Sequence, residues 1–311
     1  MTEPVSTAAS LDIRRHVIRL GGAYFLDTVG LVTEAIDQDL ISAMLFLAIA
    51  RDNVRDLTQA GQAQGEYAAL DDIPPDTLRT PVSVYAVARE MNLPYETARR
   101  YVAKLIKAGL CERVRDGIVV PGCVYQRPAL RQATIRNWER TLAFLGELAQ
   151  VGLVRAPGRL TSQDQRRQVI RLSTEFLLDE MAMLAKTIAS DPANALLYVA
   201  VVRANTWHLT IDPELSLEYA GLDSIPPDEA RRPVSTYAMA RSLRIPYETT
   251  RRYALRLEQA GLVERTAGGG LVVPARVHAL PALKAGTDAY YQAVCGYLDR
   301  LAALGVTAAS V

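Results

Sequence analysis

The sequence predicts a mainly α chain with small β-hairpins, an α+β architecture in which one unit is written twice and the copies share a pseudo-twofold core. Three observations predict it. Val82 to Leu110 returns as Val234 to Leu262, displaced by 152 positions. Apolar residues recur at helical spacing through most of each copy. β-rich runs are confined to short pairs about a tight turn, such as the one at Asp116-Gly117.

The 311 residues suffice for two domains of ordinary size, and a half-apolar composition supports real cores. The net charge of +1 leaves no chain-wide basic field, so any polyanion would have to be met by local basic surfaces. Cys111, Cys123 and Cys295 lack paired spacing and accompany only three histidines, which argues against a disulfide framework or a zinc site and fits a reducing cytoplasm. The longest apolar run, Leu40 to Ala50, is too short to span a bilayer, and no secretory leader opens the chain.

In chain order, residues 1–10 are small and polar and are expected to be disordered; 11–152 form the first repeat, 153–165 a linker, 166–305 the second repeat and 306–311 a tail. Val17, Ile18, Leu20, Tyr24, Phe25 and Val29 give a helix from Leu11 to about Ile36, weakened by Gly21-Gly22; Arg167 to Ile188 is its cleaner counterpart. Asp39 to about Leu57 is a second helix, apolar nearly all round and therefore buried, matched by Pro192 to about His208. A long insert follows, with Ile73-Pro74-Pro75-Asp76 repeated as Ile225-Pro226-Pro227-Asp228. It reads as a brace on the first helix, with a docking or effector-contact loop as the alternative.

Ser83 is a strong N-cap for a short helix with Val84, Val87, Ala88 and Met91 on one face. Asn92-Leu93-Pro94 stops it, since proline disfavours helical geometry in the residue before it. In the helix that follows, Ala98, Tyr101, Val102 and Leu105 share one side, while Glu96, Arg99, Arg100, Lys104 and Lys107 spread over the other. Gly109 ends this helix as its C′ residue, and the hairpin about Asp116-Gly117 comes next. A closing helix begins near Pro128 and runs to about Val151, with Pro281 to Leu304 as its counterpart.

This stretch resembles the winged helix-turn-helix transcription factors of bacteria, in the broad MarR, GntR and IclR style. The residues that carry the likeness are Ser83, Val87-Ala88, Leu93 through Arg100, Leu105, and Ala108-Gly109-Leu110 running into the hairpin, about 40 residues per copy. The resemblance implies two tandem winged units, with Tyr95, Glu96, Thr97, Arg99, Arg100 and Lys104 at a DNA surface. It also puts Tyr85 on phosphate and Arg113 or Arg115 of the wing on backbone or minor groove. The second copy supplies Tyr237, Tyr247, Glu248, Thr249, Arg251, Arg252, Arg256 and Arg265. An arginine can fork onto guanine or clamp phosphate, whereas a carboxylate at Glu96 or Glu248 either reads cytosine or braces the arginines.

From Ile73 to Arg113, 25 of 41 positions recur identically, and they include exposed polar positions that a fold does not need to keep. The core-facing exchanges Val102/Ala254, Leu93/Ile245 and Ala103/Leu255 show drift between the copies. The second wing, Arg265 to Gly270, is longer and less charged than the first, which favours an imperfect palindrome. His16, His208 and His278 are dispersed, Gly268-Gly269-Gly270 has no helix after it, and no catalytic constellation or cofactor motif is visible. The expectation is a cytoplasmic, nucleoid-associated regulator of transcription that binds double-stranded DNA without a cofactor. RNA polymerase or another regulator, and a second copy of the chain, are compatible partners. A replication-initiator-like protein and a protein-docking module are the alternatives.

Overall fold

The computed structural model describes residues 11–59, 66–157, 164–188 and 192–310. The expected disordered segment 1–10 lies outside them. The chain is mainly helical with two small antiparallel hairpins. In order, α1 spans Arg14–Ile36, α2 Leu40–Asp52, α3 Arg55–Gln59, α4 Val84–Glu90, α5 Tyr95–Lys107, α6 Gly122–Tyr125 and α7 Pro128–Gln150. Strands β1, Glu112–Val114, and β2, Gly117–Val119, precede α6. Then come α8 Arg166–Ile188, α9 Pro192–Ile211, α10 Pro213–Glu218, α11 Thr236–Ser242, α12 Tyr247–Gln259, α13 Ala275–His278 and α14 Pro281–Ala303, with β3 Glu264–Arg265 and β4 Leu271–Val272 before α13.

The long helices α1, α7, α8 and α14 form a central bundle, with α2 and α9 docked against it, and one continuous apolar core runs through both halves. Its centre is an aromatic ladder. Tyr24 stacks on Phe144 at 4.5 Å and Phe176 on Tyr297 at 4.6 Å, the two pairs occupying equivalent places in the two halves. Their hydroxyls are satisfied internally: Tyr24 meets Tyr297 at 3.1 Å and Thr141 at 3.0 Å, and Tyr297 meets Ser173 at 2.6 Å. Aromatic pairs of this kind add stabilisation beyond the area they bury.

The halves interlock through their first helices. The amides of Arg15 and His16 donate to the Ala220 carbonyl at 2.8 and 3.1 Å, and those of Arg167 and Gln168 donate to Ala68 at 3.0 and 3.2 Å. Asp12 accepts from the Leu222 amide, Asp164 from the Leu70 amide. Each α1-type helix therefore opens against the insert of the other half, and the insert is a brace across the halves. Within the insert, Arg79 is buried and donates to Asp76 at 2.9 Å and to the Pro74 carbonyl at 3.0 Å, while Asp76 also accepts from the Gly122 amide at 2.7 Å. The Ile-Pro-Pro-Asp turn is thus a latch between a buried guanidinium and the start of α6.

The first helix runs as expected through Gly21-Gly22 to Ile36, and a Cβ on Gly21 would lie 2.0 Å from the Tyr290 hydroxyl, so the glycine admits a ring. Several expectations need correction. The expected single helix from Asp39 to Leu57 breaks after Asp52, whereas α9 runs on to Ile211. Positions 103 and 255 are exposed, Leu255 at 44%, since they fall one residue past the buried Val102 and Ala254. Both ends of the expected linker are built in: Leu153 is buried and Asp164 holds Arg166 and Leu70, with 158–163 outside the described residues. The expected tail is also packed, with Val306 and Thr307 buried and a 3-10 turn at Ala308–Ser310 against α7.

Candidate nucleic-acid interface

The α4–α5 unit is fixed by its caps and its turn. Ser83 accepts from the Ala86 amide at 3.1 Å, and Ser235 from Ala238 at the same distance, each satisfying an N–H the helix cannot. Asn92 and Arg244 adopt left-handed φ of 48° and 52° in the turns. The Leu93 and Ile245 amides then reach back to Ala88 and Ala240 at 2.8 and 3.0 Å, so the chain enters the next helix at a set angle.

Ala98, Val102 and Leu105 of α5, and Thr250, Ala254 and Leu257 of α12, face inward. That leaves Tyr95, Glu96, Arg99 and Arg100 exposed, matched by Tyr247, Glu248, Arg251 and Arg252; Thr97 and Thr249 are half-buried. Glu96 pairs with Arg99 at 2.8 Å and Glu248 with Arg251 at 2.9 Å, so each carboxylate holds an arginine in place. Arg100 lies over the Tyr101 ring at 5.3 Å, and Arg252 reaches the Thr249 hydroxyl at 3.5 Å. Tyr85 and Tyr237, at 65% and 61% exposed, are bare aromatic rings on the neighbouring helices. Arg89 and Arg241, one turn further along the same faces, are exposed as well. Sequence reading passed over these two, although their spacing from the tyrosines was visible.

Not every expected residue projects freely. Lys104 pairs with Asp39, the N-cap of α2, at 2.5 Å. Burial would raise the Asp39 carboxyl, but hydrogen bonds from Lys104 and the Ser42 amide outweigh it and hold it low. Arg256 lies over Tyr253 at 5.8 Å. On the first hairpin Arg113 and Arg115 are both exposed and make no ion pair with a described residue. On the second, Arg265 is folded back onto Glu258 at 2.7 Å and the Gly269 carbonyl at 3.2 Å.

Each hairpin is hung on its unit by a buried amide that sequence reading did not single out. Asn53 donates to Thr80 and Ile118 carbonyls at 2.8 and 3.1 Å and accepts from Val120 at 2.8 Å; Asn205 does the same with Arg232, Leu271 and Val273. Val82 and Val234 bridge to Ile118 and Leu271, adding a one-residue third strand.

Charge is concentrated here. Residues 84–116 hold seven basic and four acidic side chains, and 236–268 six and three, so each unit carries +3 while the rest of the chain carries −5. The two units flank one corner of the bundle: Glu34 near the end of α1 stands 3.9 Å from Arg244 of the second unit, and Asp39 touches Lys104 of the first. Among the described residues no cluster could hold a metal ion, and no helix is long and apolar enough to cross a membrane. No protein-family model, curated protein or solved structure matches this chain.

Proposed function

We propose that the chain is a transcription regulator whose two winged helix-turn-helix units bind one stretch of double-stranded DNA, α5 and α12 entering major grooves and the hairpins lying on flanking backbone. The observation that carries this reading is repetition at the surface. Both copies present the same Tyr-Glu-Thr-x-Arg-Arg face to solvent, with the glutamate bracing the first arginine, on units of equal positive charge. The interlocked first helices, related by the internal repeat, favour half-sites related by an approximate twofold. The unequal hairpins favour half-sites that differ.

Selection of bound duplexes from a random pool, followed by titration of the best duplex at several salt concentrations, tests the reading. Replacing Arg99, Arg100, Arg251 and Arg252 by alanine is expected to cost at least about 100-fold in affinity at moderate salt. The log–log salt slope should become shallower by about 0.9 for every phosphate contact removed. A quadruple variant that binds the selected duplex as tightly as the parent would remove the recognition helices from the interface.

A further inference from the structure

A cavity of about 140 Å³ lies in the second half, walled by α1, α8, α9 and α14. Ile18, Phe25, Leu184, Val199 and Val202 make its middle apolar. Polar atoms of four lining residues are shut off from solvent without a hydrogen-bond partner: Oε2 of Glu180, the Tyr290 hydroxyl, Nε2 of His278, and Nη1 and Nε of Arg231, the last facing Asp228 only at 3.4 Å. Glu180, Tyr290 and Arg231 are each more than nine-tenths buried. They form two poles. Glu180 lies close enough to Tyr290 to raise its phenol further, on top of the larger effect of burial. At the other pole burial first, then the guanidiniums of Arg231, Arg15 and Arg19, keep His278 well below the usual imidazole range and hence neutral.

The first half provides an internal control. Equivalent positions line a second cavity of about 110 Å³, where Thr28 stands for Glu180, Asn137 for Tyr290, Tyr125 for His278 and Arg79 for Arg231. There the Thr28 hydroxyl donates to Asn137 Oδ1 at 3.3 Å; Arg79 donates to Asp76 and Pro74, much as Arg231 meets Asp228 at 3.4 Å and donates to Pro226 at 2.9 Å, but it also lies 5.1 Å over the Tyr125 ring. None of these four side chains has an unpartnered buried atom. The scaffold therefore closes without orphaned groups when nothing else is asked of it. Buried polar groups almost always find a partner, so unpartnered atoms on four residues around one cavity point to an occupant that pairs with them.

We propose that the cavity of the second half, walled in part by Glu180, Tyr290, Arg231 and His278, binds a compact monocarboxylate with a hydroxyl at its far end and an apolar body the size of a single ring. Arg231 and His278 donate to the carboxylate, with Arg15 and Arg19 supplying further positive charge. The hydroxyl lies between Tyr290 and Glu180, whose carboxyl is pushed up to about 8 by burial and stays protonated at neutral pH, able both to donate and to accept. The volume is close to the roughly 150 Å³ of an apolar cavity that takes up benzene. Because α1 comes from one half and the other walls from the second, the occupant would bridge the halves. The site stands whether or not the chain binds DNA, since its ligand is measured without any duplex.

Calorimetric titration of the full chain with 4-hydroxyphenylacetate, 8-hydroxyoctanoate and phenylacetate tests the site. One of the two hydroxy acids is expected to bind with a stoichiometry of one, the tighter of them fixing the body as ring or chain. Phenylacetate should bind about ten-fold more weakly than 4-hydroxyphenylacetate. The double substitution Glu180→Thr and Tyr290→Asn installs the pair the first half already folds with, and it should abolish that preference. Gly22→Thr copies Thr174 of the first cavity, adds bulk where a Cβ meets only Val199 at 3.5 Å, and should weaken both hydroxy acids. No binding heat with either hydroxy acid, a stoichiometry of two, a hydroxyl preference that survives the double substitution, or hydroxy-acid affinity unchanged by Gly22→Thr overturns the proposal.

Discussion

At position 180 a glutamate is only 6% exposed, with one carboxyl oxygen unpartnered. Burial, then the nearby Asp179, lifts its pKa from 4.5 to about 8. The folded state thus holds this proton more tightly than the unfolded chain does. The stabilisation is complete below the unfolded value and is lost as pH rises through the folded one. Urea unfolding of the parent and of Glu180→Gln should therefore diverge from pH 5 to pH 8. The parent is expected to weaken relative to the variant by on the order of a few kcal/mol; parallel curves would show a carboxylate with water access. Asn205 makes a second residue-scale case. It is wholly buried and joins three backbone groups, so Asn205→Ala should cost about 2–3 kcal/mol in chemical denaturation, and Asn53→Ala about as much.

Elements show where two nearly identical sequences diverge in use. The first hairpin pairs Glu112 with Val119 and Arg113 with Ile118, and it keeps both arginines free in solvent. In the second, the extra residue gives a tip closed by Thr266, whose amide reaches the Gly270 carbonyl at 2.9 Å, while Arg265 is spent on Glu258. On a duplex with two identical half-sites, Arg113→Ala with Arg115→Ala should weaken binding several-fold, and Arg265→Ala by less than two-fold, as read by fluorescence anisotropy. An equal loss would mean that Arg265 leaves Glu258 on binding. The helix–turn–helix elements themselves were legible in the sequence because caps, proline and periodicity are local signals. The exposure of position 103 was misjudged because one residue of helical phase moves a side chain by about 100°.

For the molecule as a whole, the reciprocal docking of α1 and α8 on the opposite inserts means that neither half completes its own core. Residues 1–157 expressed alone are expected to assemble as a homodimer that restores the missing partner by a true twofold. Sedimentation equilibrium with parallel circular dichroism should show helicity falling as the dimer dissociates. A helical monomer at nanomolar concentration would show that one half suffices.

The sequence by itself determined the helical class, the hairpins, the duplication and, positions 103 and 255 apart, which side chains of α5 and α12 face outward. All of these follow from interactions between residues a few positions apart, or from comparing the chain with itself. Tertiary structure alone decided that the first helices cross between halves, that the proline-rich inserts receive them, that Gly21 makes room for Tyr290, and that Glu180, Arg231, His278 and Tyr290 surround one cavity. Those partners lie up to 269 positions apart, as Gly21 and Tyr290 do. Their meeting depends on how two amphipathic halves bury their faces in one another, which no local pattern encodes.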